Sequence, residues 1–99
     1  MYFIVKGLDG TDREAPARRQ AVRAKHLEKI KQLANAGKIL MAAAYMGEEE
    51  QMIGSLLIMN VQSRAEVDAY LAEEPYVTGD VWRTIDVSPC KIPPLFLSD

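Results

Sequence analysis

Residues 38–61 read KILMAAAYM, then GEEEQ, then MIGSLLIMNV, and the order of the whole chain turns on what this stretch becomes. The alanines of the first apolar run suit a helix as well as a strand. Two apolar runs joined by the short polar turn Gly47–Gln51 fit an antiparallel hairpin better than a pair of helices. Upstream, residues 15–36 are dominated by Ala, Arg, Gln, Lys, Glu and Leu, all good helix formers. Val22, Leu27, Ile30, Leu33 and Ala34 recur there at helical spacing, Pro16 suits a first turn, and Thr11 or Asp12 is placed to cap it. Asn35-Ala36-Gly37 supplies the stop, with Gly37 as the left-handed residue. Further out, Tyr2–Leu8 is short, aromatic and β-branched and breaks at Asp9-Gly10, which reads as a first strand.

Downstream of the hairpin, Ser63-Arg-Ala-Glu66 has the spacing of a capping box. A shorter helix follows, with Val67, Tyr70 and Leu71 as its apolar stripe and Pro75 as its end. Thr78-Gly79-Asp80 turns into a last strand over Val81–Val87, and Pro93-Pro94 prevents the tail Leu95-Phe96-Leu97 from extending a ladder. The order is β-α-β-β-α-β, an α+β, ferredoxin-like arrangement with one antiparallel sheet and both helices on one face. Ile4, Leu40, Leu56, Ile58, Val81 and Ile85 are more large apolar residues than one helical layer covers. A second subunit is therefore expected over the open face, giving a homodimer or higher homo-oligomer with stacked sheets.

A chain of 99 residues and 11.1 kDa makes a single domain, with residues 90–99 as a C-terminal tail. With 12 basic and 14 acidic residues the formal charge is −2, which gives no pull toward nucleic acid. One cysteine forms no internal disulfide and suits a reducing compartment, so the expected location is cytoplasmic. The apolar opening meets Lys6 too soon for a signal peptide or a spanning helix, so no membrane association is expected. One His and one Cys leave a zinc site short of ligands, and no metal or cofactor is expected. Glycine-rich phosphate loops and a Gly-x-Ser-x-Gly elbow are missing from the sequence as well.

Four groups of residues together resemble the YciI-like (YCII-related) family. They are Arg23-x-x-His26-Leu27 in the first helix, Gly37 before Ile39-Leu40, Gly54-Ser-Leu-Leu-Ile58, and Glu74-Pro75-Tyr76 with Gly79 shortly after. The likeness runs from about Tyr2 to Pro89. It implies a ferredoxin-like fold paired as a dimeric α/β barrel, with a His/Asp pair in a pocket between helix and sheet. Few members of that family have an assigned reaction, and an elimination of chloride from a chlorinated hydroxyhydroquinone is among those the resemblance brings into view. By the resemblance His26 takes the place of the family histidine and Glu74 that of the aspartate. Two departures stand out: Glu74 is one methylene longer, and Ala43-Ala44 replaces a Gly-Pro common after the second strand.

His26 is the single imidazole and the best general acid or base near neutral pH. Helical spacing sets Arg19, Arg23, His26 and Ile30 on one side, a base beside two fixed cations. A carboxylate such as Glu74 holding one ring nitrogen sets the tautomer and raises basicity. The first reading is a lyase or isomerase acting on a small anionic or phenolic molecule. In it His26 is base, Glu74 orients it, Arg23 or Arg19 stabilises the anion, and Tyr76 lines the pocket. The second is a non-catalytic homodimer that binds a metabolite or serves as an accessory module, with His26 pinning a helix to a loop. Cofactor-free oxygenation, as in other dimeric α/β barrels, is selected by no residue here. The basic residues of the first helix draw an anion or are a solvated face balanced by acids elsewhere. Met41, Met46, Met52 and Met59 are expected to fill core, Trp82 to be core or interface, and Cys90 to be an inert thiol beyond the last strand.

Overall fold

The computed structural model describes residues 1–97. Four strands, β1 (Tyr2–Asp9), β2 (Ile39–Met46), β3 (Met52–Asn60) and β4 (Trp82–Cys90), form one antiparallel sheet in the order β2-β3-β1-β4. Three helices, α1 (Ala15–Asn35), α2 (Arg64–Leu71) and α3 (Pro75–Thr78), pack on one face of it. The hairpin β2–β3 is real, its turn carrying Glu49 and Glu50 at φ 58°. This is the ferredoxin-like topology expected from the sequence.

Side chains directly opposite in a ladder share a face. Phe3, Val5 and Gly7 of β1 stand across from Met59, Leu57 and Ser55 of β3, and this face meets the helices. Val67, Tyr70 and Tyr76 close over it, with Val22, Ile30 and Leu33 of α1 packed against the cluster. Each fully buried Val or Leu side chain there stabilises the fold by about 1.5–3 kcal/mol. The Trp82 ring lies flat on Gly7, where an added Cβ would sit 2.3 Å from a ring carbon. Trp82 is thus core.

α1 ends as its sequence predicts. Gly37 sits at φ +75°, its N–H bonds the Ala34 carbonyl at 3.0 Å, and the Lys38 N–H bonds the Leu33 carbonyl at 2.9 Å. That double bond is the Schellman closure. Its start differs: Glu14 occupies the cap position, and Asp12 instead grips Arg18 through two bonds of 2.6 and 2.7 Å. The Ser63 hydroxyl makes no capping bond either. Glu66 reaches one residue past the cap, accepting the Gln62 N–H at 3.2 Å, and pairs with Lys38 at 2.9 Å, so neither bond of the expected box forms.

Other expectations are corrected by the way strands and helices pack. The last strand runs from Trp82 through Pro89 to Cys90, which pairs with Tyr2, so the tail begins after Cys90. Proline is tolerated because β4 is an edge strand and needs no donor on its outer side. Pro75 does not end α2; it opens α3 one turn later. Val81 is buried in the core and Ile85 lies on the helix-side face across from Gly7, so neither belongs to the open face. Ile4, Leu56 and Ile58 do, while Leu40 stands exposed at the bulge between Ile39 and Met41. Of the four methionines on the hairpin only Met59 is core; Met41 is 58% exposed, and Met46 and Met52 are exposed with it. Leu27 is exposed too, its place on the inward stripe taken by His26. Leu95 and Phe96 lie open at 79% and 71%. Residues 98–99, the end of the expected tail, lie outside the described residues.

Candidate functional site

His26 sits in the middle of α1 on its inward side, and Glu74 in the link between α2 and α3. The chain arrives there because α2 stops at Leu71 and Glu74 adopts non-helical angles (φ −68°, ψ 124°) before Pro75 starts α3. The Glu74 side chain then turns back to accept the Tyr76 N–H at 2.9 Å through Oε2. Its other oxygen, Oε1, accepts the Tyr70 hydroxyl at 2.6 Å and lies 2.7 Å from His26 Nδ1. Glu74 is 0% exposed, so these three donors replace its water entirely. An acceptor-only carboxylate requires Nδ1 to carry hydrogen, which leaves Nε2 with its lone pair free in the neutral ring. Nε2 has no protein partner among the described residues.

Aromatic rings fix the imidazole in place. Tyr76 stacks on it at 3.8 Å between centroids and 14° between planes, and Trp82 meets it edge-on at 6.0 Å. Burial pushes the Tyr76 phenol above its usual range, against the pull of Arg19 and Arg23. Burial, with the charge and hydrogen bond of Glu74 adding to it, drives the Tyr70 phenol far above that range. Both phenols stay protonated at every working pH.

The two arginines have different lives. Arg19 Nη1 forks onto Asp9 at 2.8 and 3.0 Å, and Nη2 bonds the Ser55 hydroxyl at 2.9 Å and the Gly54 carbonyl at 3.2 Å. Its guanidinium also lies 4.6 Å over the Tyr76 ring. The Asp9 side chain is buried as well; desolvation raises its carboxyl above the ordinary value, and the Arg19 bond only partly offsets that. Arg19 is therefore tied into the wall. Arg23, one turn further along and half-buried, has no ion pair among the described residues.

A cleft of about 170 Å³ opens between α1 and the sheet, lined by Arg19, Arg23, His26, Ser55 and Tyr76, with Ala42–Ala44 as its β2 wall. All five residues named from the sequence converge here: His26, Arg19, Arg23 and Tyr76 on the cleft, and Glu74 directly behind His26. A larger groove of about 740 Å³ lies by Met1, Tyr2 and Cys90, without any acid–base pair. The other basic residues of α1 are partly matched, Arg18 by Asp12 and Lys29 by Glu73. Among the described residues no cluster of three or more His, Cys, Asp or Glu forms a metal cage.

Sequence reasoning missed Tyr70, Asp9 and Ser55 as parts of the site. Tyr70 carried a faint signal, standing four residues before Glu74, but it reads first as a core residue of α2. Asp9 reads as a turn residue, and only the strand's alternation, which sets it on the same face as Gly7, points it inward.

The fold and the site define a small α+β protein with an imidazole–carboxylate pair sealed between helix and sheet. The chain belongs to the YCII-related domain family, whose model matches residues 1–91. Among solved structures it is similar to a 5-chloro-2-hydroxyhydroquinone dehydrochlorinase from Burkholderia phenoliruptrix, in complex with 2,5-dihydroxybenzoquinone. The TM-score is 0.84 at 23% identity, over 96% of this chain and 98% of that one. An antibiotic biosynthesis monooxygenase matches at TM-score 0.54 and 14% identity, over 93% of this chain and 98% of the other. An uncharacterised NIPSNAP domain protein from Burkholderia xenovorans matches at 0.50 and 13%, over 100% of both. These likenesses are likenesses of fold. No curated protein matches the chain closely in sequence.

Proposed function

We propose that the cleft is a cofactor-free acid–base site, and that the protein is a lyase or isomerase acting on a small anionic or phenolic molecule. His26 Nε2 takes the proton, Glu74 holds the ring through Nδ1, Arg23 meets the anion that develops, and Tyr76 supplies a flat wall. The observation that carries this reading is the sealed Nδ1–Glu74 bond at 2.7 Å, which leaves the opposite nitrogen of the same ring without a protein partner. A general base held in this way contributes about 10²- to 10⁴-fold to a proton transfer. The phenolic side of the proposal draws on the dehydrochlorinase, whose ligand is a dihydroxybenzoquinone. Arg23 takes the anion-binding role rather than Arg19, because both Nη groups of Arg19 are already engaged by Asp9, Ser55 and Gly54 while Arg23 has no ion pair among the described residues.

The same reading pairs two copies across the open sheet face, where Ile4, Leu56 and Ile58 stand half-buried on a single chain. One free thiol suits a cytoplasmic setting. No helix of the described residues is long and apolar enough to cross a membrane.

The test is a ligand titration with 2,5-dihydroxybenzoquinone and a panel of small phenols and carboxylates, followed through the ring signals of the single histidine. Binding should move those signals, and Arg23→Gln should weaken it by roughly 10- to 100-fold, the worth of one charge-assisted bond. Turnover of any member should vanish in His26→Gln. Binding that survives with turnover absent in the parent would leave a metabolite-binding module, and a panel that never moves the ring would remove the site.

A further inference from the structure

The carboxylate behind His26 has one donor more than orientation needs. The Tyr76 N–H fixes Oε2, and the Nδ1–H bond fixes Oε1 against the ring. The Tyr70 hydroxyl is a second donor to that same Oε1, at 2.6 Å, and both side chains are buried. We propose that Tyr70 is a positioning residue that acts through Glu74: its hydroxyl disperses the negative charge on Oε1, so the carboxylate orients His26 without drawing a proton onto the ring. This rests on the acid–base reading of the cleft and deepens it.

A buried carboxylate stabilises an adjacent imidazolium in proportion to the charge it presents at the shared oxygen. Each hydrogen bond donated to that oxygen lowers the pull. A base that is to work through Nε2 near neutrality must keep that nitrogen free of a proton, so a damped carboxylate serves it better than a bare one. The phenol is suited to this duty because its burial keeps it protonated. It is held on α2, whereas the ring is held on α1, so loss of the hydroxyl leaves the His26–Glu74–Tyr76 geometry supported by its own bonds.

The ionisable groups around the ring come from every element packed there. Glu74 and Tyr70 lie at Nδ1, Tyr76 stacks on the face, and Arg23 lies three residues before His26 on α1. Arg19 and Asp9 form a neutralised pair behind Tyr76, and Lys29 and Glu73 pair at the surface one turn on. Substituting Tyr70 by Phe changes none of these others.

The experiment is a pH titration of the His26 ring by NMR in the parent, in Tyr70→Phe and in Glu74→Gln, with the tautomer read from the ring nitrogens. Tyr70→Phe should raise the titration midpoint by roughly half a unit to one unit, the size of one net hydrogen bond, and retain Nδ1–H. Glu74→Gln should lower it. A 3,5-difluorotyrosine placed at position 70 is a stronger donor of the same shape and should shift the midpoint the other way from Phe. A midpoint that is unchanged or lower in Tyr70→Phe, while Glu74→Gln still lowers it, overturns the role of Tyr70 and leaves the pair standing. A midpoint that Glu74→Gln does not lower removes the pair, and Tyr70 with it. A tyrosine that merely fills space would change thermal stability and leave the midpoint where it was.

Discussion

Leu56 and Leu57 are neighbours in the chain, yet one faces away from the helices and the other is sealed beneath them. The same division runs through the two central strands: Phe3, Val5, Leu57 and Met59 are buried, and Ile4, Leu56 and Ile58 are only half so. The covered face also carries nearly all the internal polar bonding, with Asp9–Arg19–Ser55 at one end and Tyr70–Glu74–His26 further along. The open face carries apolar side chains with Lys6 lying over the Tyr45 ring. A strand with period two can thus serve two purposes at once. One face of this sheet is covered within the chain, and the other is left open by it.

The covered face should respond most strongly to Glu74→Ala. It strands three buried donors, and we expect a loss of about 4 kcal/mol in urea unfolding, near the cost of orphaning a buried charged group. A loss below about 1 kcal/mol would mean that water reaches the pair. Arg19→Met comes next at about 3 kcal/mol, because it leaves Asp9 buried without its partner, whereas Arg23→Met should stay within about 0.5 kcal/mol. Equal costs would show that the two cations are not divided between wall and cleft. Leu57→Ala should cost roughly 2–3 kcal/mol at any protein concentration. Leu56→Ala should cost less in dilute solution, and a cost that grows with concentration is the outcome expected of pairing through the open face. A parent whose sedimentation shows only monomer at micromolar concentration sinks that contrast.

The smallest expected effect is on acid stability. Asp12, through its bonds to Arg18, and Glu66, through its bond to Lys38, have carboxyls held below their usual range in the folded chain. Their contributions are present above the ordinary carboxylate range and are lost as pH falls through it toward the depressed values. Asp9 runs the other way: its carboxyl is raised by burial, so its share declines as pH rises through the folded value. Asp12→Asn should therefore flatten the acid side of the stability profile slightly. An unchanged slope would assign it to Glu66 and the other acids.

Local rules carried the architecture. Gly37 announced its left-handed turn, and the polar interval Gly47–Gln51 announced the hairpin. The helical period brought Arg19, Arg23 and His26 to one side of α1 before any tertiary contact was known. Glu74 opposite His26 came through family resemblance, since the pair is separated by 48 residues and no local rule spans that distance. What stayed hidden depended on which competitor a side chain chose in three dimensions. Asp12 prefers Arg18 to the helix cap, and Glu66 divides itself between Gln62 and Lys38. Tyr70 looks like any apolar stripe residue until the loop after it folds back. Pro89 marks an apparent strand end, and only the edge position of β4 lets the ladder run past it.

The stacking around His26 also makes the molecule its own indicator. The chain has one histidine and one tryptophan, and their rings meet edge to face at 6.0 Å. An excited indole gives up an electron readily to an imidazolium and far less to a neutral imidazole. Trp82 emission should therefore dim as the ring gains its proton and brighten as it loses it, reporting occupancy of the base in a cuvette without a label, a substrate or an assigned spectrum.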